Sequence, residues 1–290
     1  MKKRDFAGLI YLAPVLILIG FIFLYPAFSI IKSSFYTTQY GIEFEFSGFT
    51  NYIEIFRDAV FQRGAINSLI WTGAGVFFQL TIPMGTAILL NQKFFGNSFA
   101  RSAMLIPWIT PSVIIAIMAR WLLEPSLGAF NNLLEFVGIV DKPINFLGTP
   151  DLALPTLIGM QTWQFIPFGT LLILAALQTI SEDLYDAMKV DGAGPMQLFR
   201  YLIFPRIGPM IGFVVFLAFV WNFNVFGKIW LTTQGGPVNA TMTLPLLVYK
   251  RAFRSFNMGH ASAVASLIVG ALVFLGTIYF KYLWKPVGEE

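Results

Sequence analysis

Apolar residues in this chain run in long blocks, without the regular alternation of a half-buried strand or a surface helix. The blocks fall at residues 8–31, 64–92, 102–123, 152–178, 207–228 and 258–282. Each matches or exceeds the ~20 residues that a helix needs to cross a bilayer core. The pattern predicts an all-α polytopic membrane protein, with six transmembrane helices in a single domain over residues 1–290. Arg120 stands near the end of the third block, one turn from Glu124. That spacing predicts an i,i+4 pair that reaches out of the hydrocarbon. Residues 229–249 are also free of charge, but they contain Thr-Thr-Gln-Gly-Gly-Pro and a second proline, Pro245. Backbone exposed to lipid cannot be broken in that way, so this stretch reads as an ordered loop.

Composition agrees with a lipid-embedded chain. Hydrophobic residues make up 57% and charged residues 12%, the latter about half the ~25% of a soluble domain. Cysteine is absent, which removes thiolate metal sites, thiol catalysis and a disulfide framework. The net charge of +4 reads as an orientation signal and not as a nucleic-acid footprint, because basic loops face the cytoplasm. Lys2, Lys3 and Arg4 precede the first block, and Lys93 and Arg101 lie in a 91–101 loop with no acid. Lys189, Arg200, Arg206, Lys281 and Lys285 fall on the same side. The bias is small, and it places both termini in the cytoplasm. The N-terminus mimics a secretory signal, basic then apolar. Its apolar run is too long and lacks a small-x-small cleavage site, so it reads as an uncleaved first span.

Several chemistries lack their residues. There is no Gly-x-x-x-x-Gly-Lys-Ser/Thr loop and no His-Glu-x-x-His, hence no P-loop for ATP and no such zinc site. The one histidine, His260, sits near the start of the last block and reads as an interfacial polar residue. Paired acids or a nucleophile with a base, which an intramembrane enzyme needs, are missing. The expectation is a non-enzyme without metal or cofactor. A transporter with neither an ion-coupling residue in its spans nor a nucleotide site takes its energy from another subunit.

The segment 181–209 carries the strongest signal. Ser181 can cap a first helix, with Glu182, Asp183 and Asp186 near its positive end. Leu184, Tyr185 and Met188 give that helix an apolar side, and Asp191-Gly192 breaks it. Pro195 can open a second helix, whose stripe is Leu198, Phe199 and Leu202 and whose end is set by Pro205 and Pro209. The bland alternative is an interfacial helix lying on lipid. The segment resembles the signature loop of binding-protein-dependent ABC importer permeases: Glu-Ala-Ala, three residues, Gly, nine residues, Ile-x-Leu-Pro. Here it stands as Asp186-Ala187-Met188, Gly192, then Leu202-Ile203-Phe204-Pro205. Asp186, Met188 and Phe204 depart from the pattern but keep charge sign and apolarity. Leu24-Tyr25-Pro26, Phe49-Thr50-Asn51-Tyr52, Ile106-Pro107-Trp108, Gly235-Gly236-Pro237 and Gly259-His-Ala-Ser262 resemble the sugar-permease branch, in particular its first permease of the maltose and glycerol-phosphate type.

The resemblance implies the ABC type I importer permease fold in the cytoplasmic (inner) membrane of a prokaryote. It also implies alternating access driven by ATP hydrolysis on separate ABC ATPase subunits. The implied partners are a second permease subunit in a heterodimer, an extracytoplasmic solute-binding protein, a sugar and membrane lipid; nucleic acid is not among them. Asp186, Ala187, Met188, Asp191, Gly192 and Pro205 become the ATPase-coupling candidates. A standalone facilitator or channel is the rival class.

Polar and aromatic residues share faces of three spans: Trp108 and Ser112; Gln161, Gln164, Phe165 and Phe168; Trp221, Asn222 and Val225. Amides suit sugar hydroxyls, and rings suit the C–H face of a sugar. The same amides also suit hydrogen bonds between helices. By the resemblance, these positions align with the midplane sugar site of the maltose-type permease. None of these residues is basic, which favours a neutral mono- or oligosaccharide over a glycerol phosphate. Pro107, Pro111 and Pro167 are expected to kink the helices around the site.

Overall fold

The computed structural model describes residues 3–39 and 43–283. Lys2 and Lys285, used above for orientation, lie outside them. Helix α1 (Lys3–Ile19) passes through a π turn (Gly20–Leu24) into α2 (Tyr25–Ser33). A hairpin follows, β1 (Tyr36–Gln39) against β2 (Glu43–Phe46), then α3 (Thr50–Arg57) and the long α4 (Ala59–Leu90). Next come α5 (Asn97–Met104), α6 (Ile106–Ile109), α7 (Ser112–Leu122), α8 (Ala129–Phe136) and α9 (Pro150–Leu177). Then α10 (Glu182–Val190) and α11 (Pro195–Gln197) lead through a π turn (Leu198–Ile203) into α12 (Phe204–Phe223). The described residues end with α13 (Gly227–Thr232), α14 (Leu244–Phe253), α15 (Met258–Ile278) and a π turn (Tyr279–Leu283).

Among the described residues, five helical stretches are long and apolar enough to cross a membrane: Tyr11–Ser33, Ala59–Leu90, Pro150–Leu177, Pro195–Phe223 and Met258–Lys281. The third predicted span is different. It consists of Asn97–Ile109 and Ser112–Leu122, bent by 92°. The cause is local. Pro111 donates no N–H and pushes the residue before it out of the helical region; Thr110 accordingly takes φ −74°, ψ 124°. By contrast, α9 runs through Pro167 without interruption.

Two prolines are absorbed in another way. A π turn ends just before Tyr25-Pro26, and another just before Phe204-Pro205. The wider turn re-registers the hydrogen bonds where proline supplies no donor. This corrects the expectation that Pro205 and Pro209 end the second helix of the 181–209 segment, since that helix continues into the span. Of the 229–249 stretch, expected to be a loop throughout, only residues 233–243 are one; its ends belong to the helices Gly227–Thr232 and Leu244–Phe253, and Gln234, Val238 and Asn239 take positive φ between them.

The chain divides into two compact units. In the first, residues 1–62 and 244–273, α3 anchors the turn after α2. The Asn51 amide is buried and donates to the carbonyls of Ser34 at 2.8 Å and Tyr36 at 2.9 Å. Tyr52 Oη lies 2.6 Å from Ser34 Oγ and 2.8 Å from Ser266 Oγ. A Cβ on Gly259 would stand 2.4 Å from the Tyr36 carbonyl, so only glycine lets α15 approach there. His260 Nε2 sits 2.7 Å from the Glu54 carboxylate, and Arg251 pairs with Asp58.

In the second unit, residues 63–243 and 274–290, the core joins Ala87 and Leu90 of α4, Phe165, Ile173, Leu174 and Leu177 of α9, and Ile207, Ile211, Val214 and Ala218 of α12. Helices α4 and α9 meet closely at Gly169, where a Cβ would stand 3.0 Å from Pro83. Beside it, Thr86 and Thr170 hydroxyls are 2.5 Å apart. Small residues and hydroxyl pairs hold helices together where lipid offers no hydrophobic drive.

Asn51→Ala leaves two buried carbonyls without a donor. The expected cost is ~1–3 kcal/mol of stability, read as a lower thermal unfolding midpoint of the purified protein in detergent. An unchanged midpoint would show that this amide does not anchor α3.

Candidate functional site

The break in the third span creates the site. At Thr110 the helical ladder stops, leaving a carbonyl without its usual partner. The Gln164 side chain, from α9, donates to that carbonyl at 2.9 Å. Helix α6 packs against α9, and α13 against α7. Between them lies a cavity of about 350 Å³, lined by Trp108, Ser112, Gln161, Gln164, Trp221, Val225, Gly227 and Lys228. That is within the ~300–1,000 Å³ typical of small-ligand sites.

Aromatic rings wall it. Trp108 stacks on Phe168 at 4.6 Å and on Trp221 at 5.7 Å. Phe168 also meets Trp221 at 5.1 Å, and Phe165 stands edge-on to both at 5.7 and 5.9 Å. Of the nine sequence candidates, Trp108, Ser112, Gln161, Gln164, Trp221 and Val225 therefore reach the cavity. Phe165 and Phe168 back it as a second layer.

Asn222 does not reach it. One residue on from Trp221, it is turned by about 100° around α12, and it is 1% exposed. Its Nδ2 donates to Gln79 Oε1 and to the Ala218 carbonyl, both at 2.7 Å; its Oδ1 accepts from Gln79 Nε2 at 3.3 Å. The pair is a reciprocal amide clasp between α12 and α4. Gln79 was missed in the sequence, although a glutamine within an otherwise apolar span was visible there.

Lys228 was also missed at the site. It is the last residue of the 207–228 block, beyond the polar and aromatic face read from that block. The structure buries it, with Nζ donating to Gln161 Oε1, and it lines the cavity. The reading of a solute face without a basic residue is therefore corrected. Linear spacing along α12 could not show it, because the chain breaks at Asn224 and α13 turns Lys228 back toward Gln161.

The 181–209 segment forms the expected helical hairpin. Leu184, Tyr185, Met188, Leu198 and Phe199 pack against the α4–α9–α12 core, which disfavours a helix lying loosely on lipid. Its outer side is open: Asp186, Ala187, Asp191, Gly192 and Pro205 are exposed, as are Val190 and Met196. Met188 alone of the coupling candidates faces the core. Gly192 takes φ +81°, the left-handed turn expected of it. Ser181 makes no side-chain cap, contrary to expectation; Glu182 and Asp183 do occupy the first turn. Lys93 of the 91–101 loop bonds Glu182 at 2.9 Å, and the hydrogen bond and charge of Glu182 hold the Lys93 ammonium above its usual pKa.

The Arg120–Glu124 pair is not formed. Glu124 instead accepts from the Leu127 backbone N–H at 2.5 Å, because α7 ends at Leu122 and the carboxylate caps the turn that follows.

A polytopic membrane protein with a polar cavity at a helix break and a structured hairpin between spans defines a solute permease. Residues 79–286 match the family of binding-protein-dependent transport system inner membrane components. The chain belongs to that family. It is 32% identical over 269 residues to a probable ABC transporter permease protein of Brucella suis, covering 92% of this chain and 93% of that protein. It is 30% identical over 244 residues to the trehalose/maltose transport system permease protein MalF of Thermococcus litoralis, covering 84% and 80%. A crystal structure of a bacterial alginate ABC transporter superposes with a TM-score of 0.81 at 24% identity, covering 98% of each chain. That likeness establishes the fold.

The amide clasp gives a test. Gln79→Leu or Asn222→Leu alone strands a buried amide and is expected to cost ~1–3 kcal/mol. The double substitution removes both polar groups and should recover part of that loss. Thermal unfolding of the three variants measures it; strictly additive losses would contradict a direct clasp.

Proposed function

We propose that this chain is one permease subunit of an ATP-driven importer for a mono- or oligosaccharide. The observation that carries the reading is the cavity at the Thr110–Pro111 break, where stacked Trp108 and Trp221 stand beside Gln161, Gln164 and Ser112. Rings cover the C–H face of a pyranose, and amides answer its hydroxyls. The relative that transports trehalose and maltose supports the saccharide class. The solute crosses by alternating access: the cavity faces one side of the membrane, then the other. ATP hydrolysis takes place on separate ABC ATPase subunits. A second permease completes the pore as a heterodimer, and an extracytoplasmic solute-binding protein delivers the sugar.

In this reading the hairpin of α10 and α11 is the coupling element. Its apolar side is fixed to the core, so force applied at exposed Asp186, Ala187 and Asp191 moves α9 and α12 directly. The hairpin faces the cytoplasm, as do both termini. The expectation of a neutral sugar rested on a face without a basic residue. Lys228 removes that ground, so the reading keeps the saccharide class and leaves out neutrality.

Reconstitution in proteoliposomes tests the class. Uptake of labelled saccharide should require the ATPase subunits, the binding protein and internal ATP; flux through this chain alone would establish a standalone facilitator instead. Within the assembled system, Gln164→Ala frees the Thr110 carbonyl and is expected to lower uptake about tenfold, equivalent to ~1–3 kcal/mol, with assembly retained. Gly192→Asp combined with Asp186→Lys should abolish sugar-stimulated ATPase activity while the chain still inserts. Wild-type coupling in that variant would remove the hairpin from the mechanism.

A further inference from the structure

Lys228 is a buried cation whose surroundings do not neutralise it. It is 7% exposed, and no other ionisable side chain lines its cavity. Among the described residues no carboxylate pairs with it; the ion pairs there join Lys93–Glu182, Lys189–Asp186, Arg251–Asp58 and His260–Glu54. Its observed partner is neutral, the Gln161 carbonyl oxygen. An ammonium has three donors, so two remain for the cavity. Burying a charge without a counter-charge is costly. As plain helix glue, a neutral residue bonded to Gln161 would serve at lower cost.

We propose that Lys228 is a specificity-determining residue that selects saccharides carrying a singly charged acidic group, a carboxylate of the uronate kind. The proposal rests on the saccharide-permease reading above and specifies its substrate class. One ammonium balances one negative charge. A phosphate monoester carries ≈ −1.5 to −2 near neutral pH, and this cavity offers no second cation for the excess. A carboxylate at Lys228 would lie beside Gln161, while the sugar ring rests on Trp108 and Trp221 of the same cavity. The bound anion would then supply the counter-charge that the protein omits.

The test uses matched probes: uronate-containing disaccharides and the same disaccharides after reduction of the carboxyl to an alcohol. Binding is measured to the complete transporter, with both permeases and the ATPase subunits, in nanodiscs. The acidic forms should bind at least about tenfold more tightly than the reduced forms, since a hydrogen bond to a charged group is worth ~1.5–3 kcal/mol. Lys228→Gln should bring the two within about twofold, and Lys228→Arg should keep the preference. A merely structural lysine would lower both affinities together in Lys228→Gln. Equal or tighter binding of the reduced forms by the wild type, or an undiminished preference in Lys228→Gln, would overturn the proposal and leave the saccharide reading standing. Binding of neither form by a correctly assembled complex would overturn the saccharide reading itself, and this inference with it.

Discussion

A backbone carbonyl released inside a membrane has to find a donor in the protein, because hydrocarbon offers none. That constraint governs the centre of this molecule. Pro111 breaks the third span and frees the Thr110 carbonyl, and the Gln164 amide from α9 takes it up. The break turns the chain by 92°, which brings Trp108 on one side and Ser112 on the other to the same cavity. Without Gln164 the bend would have no polar partner on α9. Without the bend, Trp108 and Ser112 would be one turn of an unbroken helix. The cavity is thus a consequence of a break that the protein satisfies internally, and irregular backbone at membrane depth is tolerated where it lines such a space.

The same logic runs through the rest of the second unit. Amides and hydroxyls join helices in pairs: Gln79 with Asn222, Thr86 with Thr170. These hold α4, α9 and α12 as one body. The hairpin of α10 and α11 buries its apolar side in that body, and a π turn carries its second helix into α12 without a break. The exposed surface of the hairpin and the wall of the cavity are therefore parts of one continuous element. That continuity is the physical basis for reading the hairpin as a coupling device.

Most of this was legible in the sequence. Long apolar blocks identified the spans because hydrocarbon thickness sets their length. The hairpin was legible because acidic residues mark its start and Gly192 and Pro195 mark its turn. Six of nine cavity candidates line the cavity: Gln161 and Gln164 because they sit at helical spacing on the unbroken α9, and Trp221 because it faces the same way from α12, while Trp108, Ser112 and Val225 reach it beside breaks in the helices. The misses share a cause. Asn222 was placed with Trp221, yet adjacent positions on a helix point in different directions, and the partner that claimed Asn222, Gln79, lay on another span. Lys228 was overlooked because it follows a break, and beyond a break linear periodicity no longer predicts direction. Ser181 and the Arg120–Glu124 pair were read from local spacing alone, and in the second case a neighbouring backbone N–H outcompeted the predicted partner.

The central claim is that the cavity at the Thr110–Pro111 break lies on the path of the solute and changes sides during transport. The chain contains no cysteine, so Ser112→Cys places a single thiol in the cavity wall. With the partner subunits likewise free of cysteine, its reaction with membrane-impermeant thiol reagents can be measured from each face of a proteoliposome, at rest and with ATP trapped on the ATPase subunits. The account predicts that the thiol reacts from one face at rest and from the other, or not at all, in the trapped state, and that transported saccharide slows the reaction. Labelling at the same rate from the same face in both states, unaffected by saccharide, would contradict it.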